Sequence, residues 1–230
     1  MNFWKRYLTA WSRHHRSGGF GIHSPYAYKF VRTVLRERKP YYAYEGIGQL
    51  VRTIKEGTTR RQRREMNLMS EREARLLFRV TNHFNPTRIL QAGAATGVES
   101  ITMLTVNGKS RLWLDDPQLV QNALAVRVLQ SQLERVKCYD DMAVAADEFL
   151  AEQGESMALI NVPVDESILY RLLDEGTVVI LRHLNDNETM WNAFYSCCNH
   201  MPKGQSYTNG KTAILNPNPK LQREDFLLWL

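Results

Sequence analysis

Residues 89–100 read ILQAGAATGVES. An apolar pair runs into small residues with glycines at 93 and 97, and the chain then turns polar as a helix would begin. Gly93 permits a sharp turn, Ala94 and Ala95 keep the chain thin, and Gly97 opens the next helix. Backbone N–H groups there can meet a ligand at close range. Any tight strand-to-helix turn can use a glycine pair, so the surrounding elements decide the reading.

Outward from this stretch, strands alternate with helices. Strand-like runs fall at 88–92, 111–115, 134–138, 157–162 and 177–181, with helical stretches at 97–106, 117–131, 141–152, 165–174 and 186–200. Short apolar strands joined by helical crossovers predict a parallel α/β sheet, doubly wound. The end of the chain differs. QSYTNGKTAILN and DFLLWL flank the turn-rich PNPK (217–220) with no helix between them, so they are expected to pair as a hairpin.

Upstream, Ser70 and Glu73 stand in capping-box spacing and start a helix that Asn85-Pro86 closes. Ser24-Pro25 starts another, and Tyr41 to Ile54 reads as a third. EGTTRRQRRE (56–65) reads as a charged, mobile connection. Phe3, Trp4, Tyr7, Leu8 and Trp11 share one helical stripe with a basic opposite face. Such a helix either docks on its own domain or a second copy, giving a homodimer, or lies on a membrane surface.

Charge is uneven. Residues 1–79 hold 18 Lys and Arg against 6 Asp and Glu, so the net +6 covers a basic first third and an acidic remainder. Solvated helix faces account for this as well as nucleic acid or anionic lipid does, and no nucleic-acid motif surrounds TTRRQRR. The N-terminal residues show no continuous apolar core of a signal peptide, and the expectation is a cytoplasmic protein. Three cysteines, two of them adjacent at 197 and 198, make no disulfide framework or metal site and are expected as small buried groups.

In open parallel sheets, ligands bind beyond the carboxyl ends of the strands. Asp115-Asp116 ends the second strand. Asp115 at that tip can accept from both hydroxyls of a ribose, while Asp116 before Pro117 reads as a helix cap. The third strand runs into Tyr139-Asp140-Asp141, where Tyr139 could stack on a base and Asp140 accept from its amino group. A helix cap explains those acids equally well.

Together these features resemble class I S-adenosylmethionine-dependent methyltransferases, above all a bacterial O-methyltransferase-like group with a His-Ser-Pro-aromatic motif, here His23-Ser24-Pro25-Tyr26. The resemblance covers about residues 20–230. It implies a Rossmann-like sheet of order 3-2-1-4-5-7-6 with the last strand antiparallel. Residues 1–69 would form a basic helical segment, a lid or dimer arm, and 70–230 the methyltransferase-like domain. It also implies an S-adenosylmethionine site at Gln91, Gly93, Ala95, Gly97, Asp115, Asp116, Tyr139, Asp140 and Asn161, with a small-molecule methyl acceptor.

The chain departs from the group at charged positions. Gln91 replaces an acid, Asn161-Val162 replaces Asp-Gly, and Arg182-His183-Leu184-Asn185 replaces Asp-Asp-Ile-His. Amide oxygens still accept hydrogen bonds. Bonds to charged groups contribute about 1.5–3 kcal/mol against about 1 for neutral ones. Losing two carboxylates would weaken cofactor binding by about one to two orders of magnitude. Arg cannot ligate a hard cation and Asn is a poor substitute for carboxylate, so no metal is expected. His183 and His23 are candidate general bases. Two functions follow: a metal-independent methyltransferase, or a catalytically degenerate relative that keeps a ligand pocket.

Overall fold

The computed structural model describes residues 22–93, 96–116 and 123–228. The aromatic stripe of residues 3–11, Ala94, Ala95 and Pro117 lie outside them.

Ser24 caps the first described helix, α1 (Pro25–Phe30), its Oγ accepting from the Ala27 amide at 3.3 Å. A π-helical turn, Val31–Leu35, continues it. Then come α2 (Ala43–Glu56), α3 (Arg60–Glu65) and α4 (Glu71–Phe84). The α4 capping box forms as its sequence spacing predicts, and Asn85 ends the helix in the left-handed region at φ 47°. The 56–65 stretch departs from expectation. Thr59 and Gln62 make a second capping box there, which starts α3 in a run otherwise dominated by arginine.

The alternating part follows as β1 (Arg88–Ala92), α5 (Val98–Leu104), β2 (Arg111–Asp115), α6 (Ala123–Leu129), β3 (Val136–Tyr139), α7 (Met142–Ala151), β4 (Ser156–Ile160), α8 (Glu166–Asp174), β5 (Val178–Leu181) and α9 (Glu188–His200). A 3-10 turn over Gln130–Arg135 delays β3 by two residues relative to expectation. The chain ends in β6 (Gln205–Thr208), β7 (Ala213–Asn216) and β8 (Glu224–Leu227).

The sheet runs β3-β2-β1-β4-β5-β7-β6-β8, and only β7 is antiparallel to its neighbours. The expected order therefore stands, with one strand added at the edge. The hairpin lies elsewhere than expected. QSYTNGKTAILN is itself the β6–β7 hairpin, turning at Asn209-Gly210, and DFLLWL supplies β8, parallel to β6. Gly210 takes φ 83°, and the Asn209 side chain accepts from the Lys211 and Thr212 amides.

Strand alternation sends side chains to two cores. On one face Ile89, Leu112, Leu159, Ile180 and Ile214 pack with α1, α2, α4 and α5. On the other Leu90, Trp113, Ile160, Leu181 and Leu215 pack with α7, α8 and α9. Cys197 is buried and Cys198 half-buried, as small core groups would be, but Cys138 is exposed on edge strand β3. Among the described residues no helix is long and apolar enough to cross a membrane.

Candidate functional site

The carboxyl ends of β1, β2, β4 and β5 converge on the loop after β1. Gly93 turns the chain at φ 76°, and its amide donates to the Asp115 carbonyl at 2.8 Å. A Cβ at 93 would stand 3.0 Å from Val162 Cγ1, so both the conformation and the close approach call for glycine. Gly97, at φ 74°, is the N-cap of α5.

Alternation places Gln91, Asn161 and Arg182 on the same face of their strands, toward α4 and α5. These are the positions at which the sequence departs from the acidic pattern, and they form one buried network with a fourth residue, Glu99. The Arg182 guanidinium donates to Glu99 Oε1 at 2.9 Å and to Asn161 Oδ1 at 3.1 Å. The Asn161 amide donates to the Gly93 carbonyl at 2.6 Å, and the Gln91 amide donates to the same carbonyl at 2.9 Å. Ser100 closes the chain by donating to Gln91 Oε1 at 2.8 Å. The Glu99 and Arg182 side chains are 0% and 7% exposed, so this charge pair is sealed from water.

Such a pair is costly to assemble and costlier to break, because one partner alone is an uncompensated buried charge. Burial pushes the Glu99 carboxyl up, and Arg182 opposes that shift. Glu99 Oε2 and Thr96 Oγ1 are buried with no hydrogen-bond partner among the described residues. Glu99 was not legible as a site residue. Its only sequence signal is an acid among small residues in the first turn after the loop, and its partner lies 83 positions away.

Asp115 sits on the other flank, at the tip of β2. Its Oδ1 is buried with no partner among the described residues. Burial pushes its carboxyl up, as do the charges of Asp116, Asp141 and Asp140. An acceptor held this way is unsatisfied until a donor arrives. Asp116 meets β3 through its amide, 3.3 Å from the Tyr139 carbonyl. Asp141 caps α7, with Oδ1 accepting from the Ala143 amide at 2.7 Å, while Asp140 stays exposed. The Tyr139 hydroxyl donates to Glu148 Oε2 at 2.6 Å, which ties that side chain to α7.

The two histidines are far apart in the fold. His183 follows Arg182 at the β5 tip with φ 61°. Its carbonyl accepts from the Asp186 and Asn187 amides, which tightens the turn. Burial and then the Arg182 charge hold its imidazole below the ordinary value. His23 is exposed beside Ser24, whose Oγ accepts from Gln205 at the amino end of β6. It stands at the opposite end of the strands from Arg182 and is not brought into the crevice.

The donor set can be tested against the expected ligands. A ribose fits Asp115, whose buried oxygen lacks a donor. The methionine end of S-adenosylmethionine, with its sulfonium and ammonium, fits the network poorly, because the one carboxylate oxygen there without a partner among the described residues, Glu99 Oε2, belongs to the ion pair with Arg182. Gln91 Oε1, Asn161 Oδ1 and the Gly93 carbonyl already accept bonds, and a guanidinium stands among them. A divalent cation does not fit either, since Arg182 takes the oxygen that Asn161 could offer. Among the described residues no three His, Cys, Asp or Glu gather as metal ligands.

No family model matches the chain, and no curated protein does. Solved structures do. A methyltransferase from Geobacter sulfurreducens superposes with a TM-score of 0.54 at 14% identity, covering 86% of this chain and 98% of its own. The SAH-bound methyltransferase PaMTH1 of Podospora anserina gives 0.53 at 10%, covering 86% and 97%. An O-methyltransferase from Bacillus cereus, solved in complex with SAH, gives 0.51 at 11%, covering 80% and 95%. At these identities the likeness is one of architecture: the chain has the Rossmann-like fold of these methyltransferases.

Proposed function

We propose that the protein binds an S-adenosyl compound by its nucleoside end and is a catalytically degenerate relative of methyltransferases. One observation carries this reading. Asp115 offers a buried oxygen at the β2 tip with no partner among the described residues, while the Arg182–Glu99 pair is buried beyond the β5 and β1 tips. Ligands of open sheets enter at the crevice beyond the strand tips, where strand order reverses. The nucleoside half of the site is thus open to a donor, and the half that would orient a methyl group holds a buried ion pair.

A second reading, a metal-independent O-methyltransferase acting on a small molecule, is supported by the fold shared with SAH-bound methyltransferases. It is also supported by His183, whose imidazole is held in the neutral form a general base needs.

Melting curves with S-adenosylmethionine, S-adenosylhomocysteine and 5′-methylthioadenosine separate the readings. A ligand at about 100 times its Kd adds about 2.7 kcal/mol. In a chain of this size each kcal/mol is worth about 2–4 °C. All three should raise the melting temperature, with no methyl transfer from labelled S-adenosylmethionine to a panel of hydroxyl acceptors. No shift with any of them overturns the nucleoside reading. Transfer to an acceptor puts the second reading in place of the first.

A further inference from the structure

We propose that the cleft between α4 and the β5–β7 part of the sheet binds a single-chain anionic amphiphile, an acidic head group on an apolar tail. The cleft has a volume of ≈ 1260 Å³, against about 300–1,000 Å³ for ordinary ligand pockets. Its floor is apolar: Met69, Leu77 and Val80 meet Ile180 and Ile214 there. Its rim is cationic, with seven Arg and Lys among the lining residues against three Glu.

Some of those cations already have partners. Arg79 donates to the Val34 and Leu35 carbonyls and to the Tyr44 hydroxyl, and Arg182 belongs to the buried network. Arg75 pairs with Glu71 and lies over the Tyr44 ring, yet its Nε is buried with no acceptor among the described residues. Arg36, Arg38 and Lys211 have side chains with no hydrogen bond or ion pair among the described residues. The cleft therefore offers surplus positive charge around an apolar floor, together with a buried donor in want of an acceptor.

That combination selects the occupant. Residues 2–16 carry basic side chains and no acid, so this chain's own N-terminal stripe would meet like charge at the rim. A nucleic acid would answer the rim and leave the floor unused. An uncharged lipid would cover the floor and leave the cations unanswered. An anionic amphiphile satisfies both. A smaller cavity of ≈ 250 Å³ shares Glu73, Arg182, Lys211 and Thr212 with the cleft and reaches His183, so the cleft opens toward the β5 tip. The proposal uses neither Asp115 nor the glycine loop, and it stands or falls separately from the nucleoside reading.

The test is a calorimetric titration of the full chain with hexanoate, octanoate and decanoate below their micelle concentrations. Decanol, decyltrimethylammonium and phosphatidylglycerol vesicles serve as the comparison ligands. Decanoate should saturate one site, and each added methylene should tighten binding by about fourfold. Decanol and the cationic amphiphile should bind at least about tenfold more weakly, because they leave the rim cations unpaired. The triple variant Arg36→Glu, Arg38→Glu, Lys211→Glu should keep its melting temperature and lose at least about tenfold in decanoate affinity. Four results would overturn the proposal: no saturable binding of decanoate, no dependence on chain length, decanol binding as well as decanoate, or full affinity in the triple variant. Binding to the vesicles alone would overturn it in favour of a membrane surface.

Discussion

Arg182 and Glu99 carry most of the electrostatic risk in the molecule. The Arg182→Met variant leaves Glu99 buried without its countercharge, a change that costs about 3–5 kcal/mol when the charge persists. The pH dependence has a definite sign. Burial already raises the Glu99 carboxyl above its ordinary 4.5, and losing Arg182 raises it further. The folded state then holds a proton that the unfolded state releases, so stability falls as pH climbs from about 4.5 through the folded value. Urea unfolding of Arg182→Met should show a larger loss at pH 8 than at pH 5. The double variant Arg182→Met, Glu99→Gln should recover most of the loss and flatten the pH dependence. Equal losses at both pH values would mean that Glu99 is not the charge Arg182 neutralises. In the sequence, Gln91, Asn161 and Arg182 were each visible as a departure, but not that they touch. A residue string gives no hint that a guanidinium needs an acid 83 positions away, and only the fold brings the two together.

Among the elements, α4 does the most to shape the apolar face, because it packs against the π-helical turn Val31–Leu35, α2 and α5 and forms one wall of the cleft. Its start depends on Ser70, whose Oγ accepts from the Glu73 amide at 3.3 Å while Glu73 Oε2 accepts from the Ser70 amide at 2.8 Å. Ser70→Ala should cost about 1 kcal/mol in chemical denaturation; a loss below about 0.3 kcal/mol would show the cap to be dispensable. Elements whose signals are local were legible in the sequence. The bounds of β1 and β2 agree with expectation to the residue, and both N-caps read upstream of the sheet are made. Others were masked by a stronger neighbouring signal. The Thr59–Gln62 box is written in the sequence, but four arginines around it argued for a solvated connection. Asn209-Gly210 is a hairpin signal, yet the apolar runs on either side read as one strand, which moved the expected turn to PNPK.

For the molecule as a whole, the sheet order and the convergence of strand tips place a crevice where the first glycine turn predicts one. Among the described residues one side keeps an unanswered acceptor, Asp115 Oδ1, and on the other the acceptor without a partner, Glu99 Oε2, belongs to a buried ion pair with Arg182. The central claim is that the nucleoside end of an S-adenosyl compound supplies the binding energy and the amino-acid end supplies little. Calorimetric titration with S-adenosylhomocysteine and 5′-methylthioadenosine, repeated on Asp115→Asn, tests this most directly. The account predicts affinities for the two ligands within about tenfold of each other. It also predicts a loss of about 0.5–2 kcal/mol for both in Asp115→Asn, the difference between hydrogen bonds to a charged and to a neutral acceptor. S-adenosylhomocysteine binding about a thousandfold tighter than methylthioadenosine, or unchanged affinity in Asp115→Asn, would contradict it.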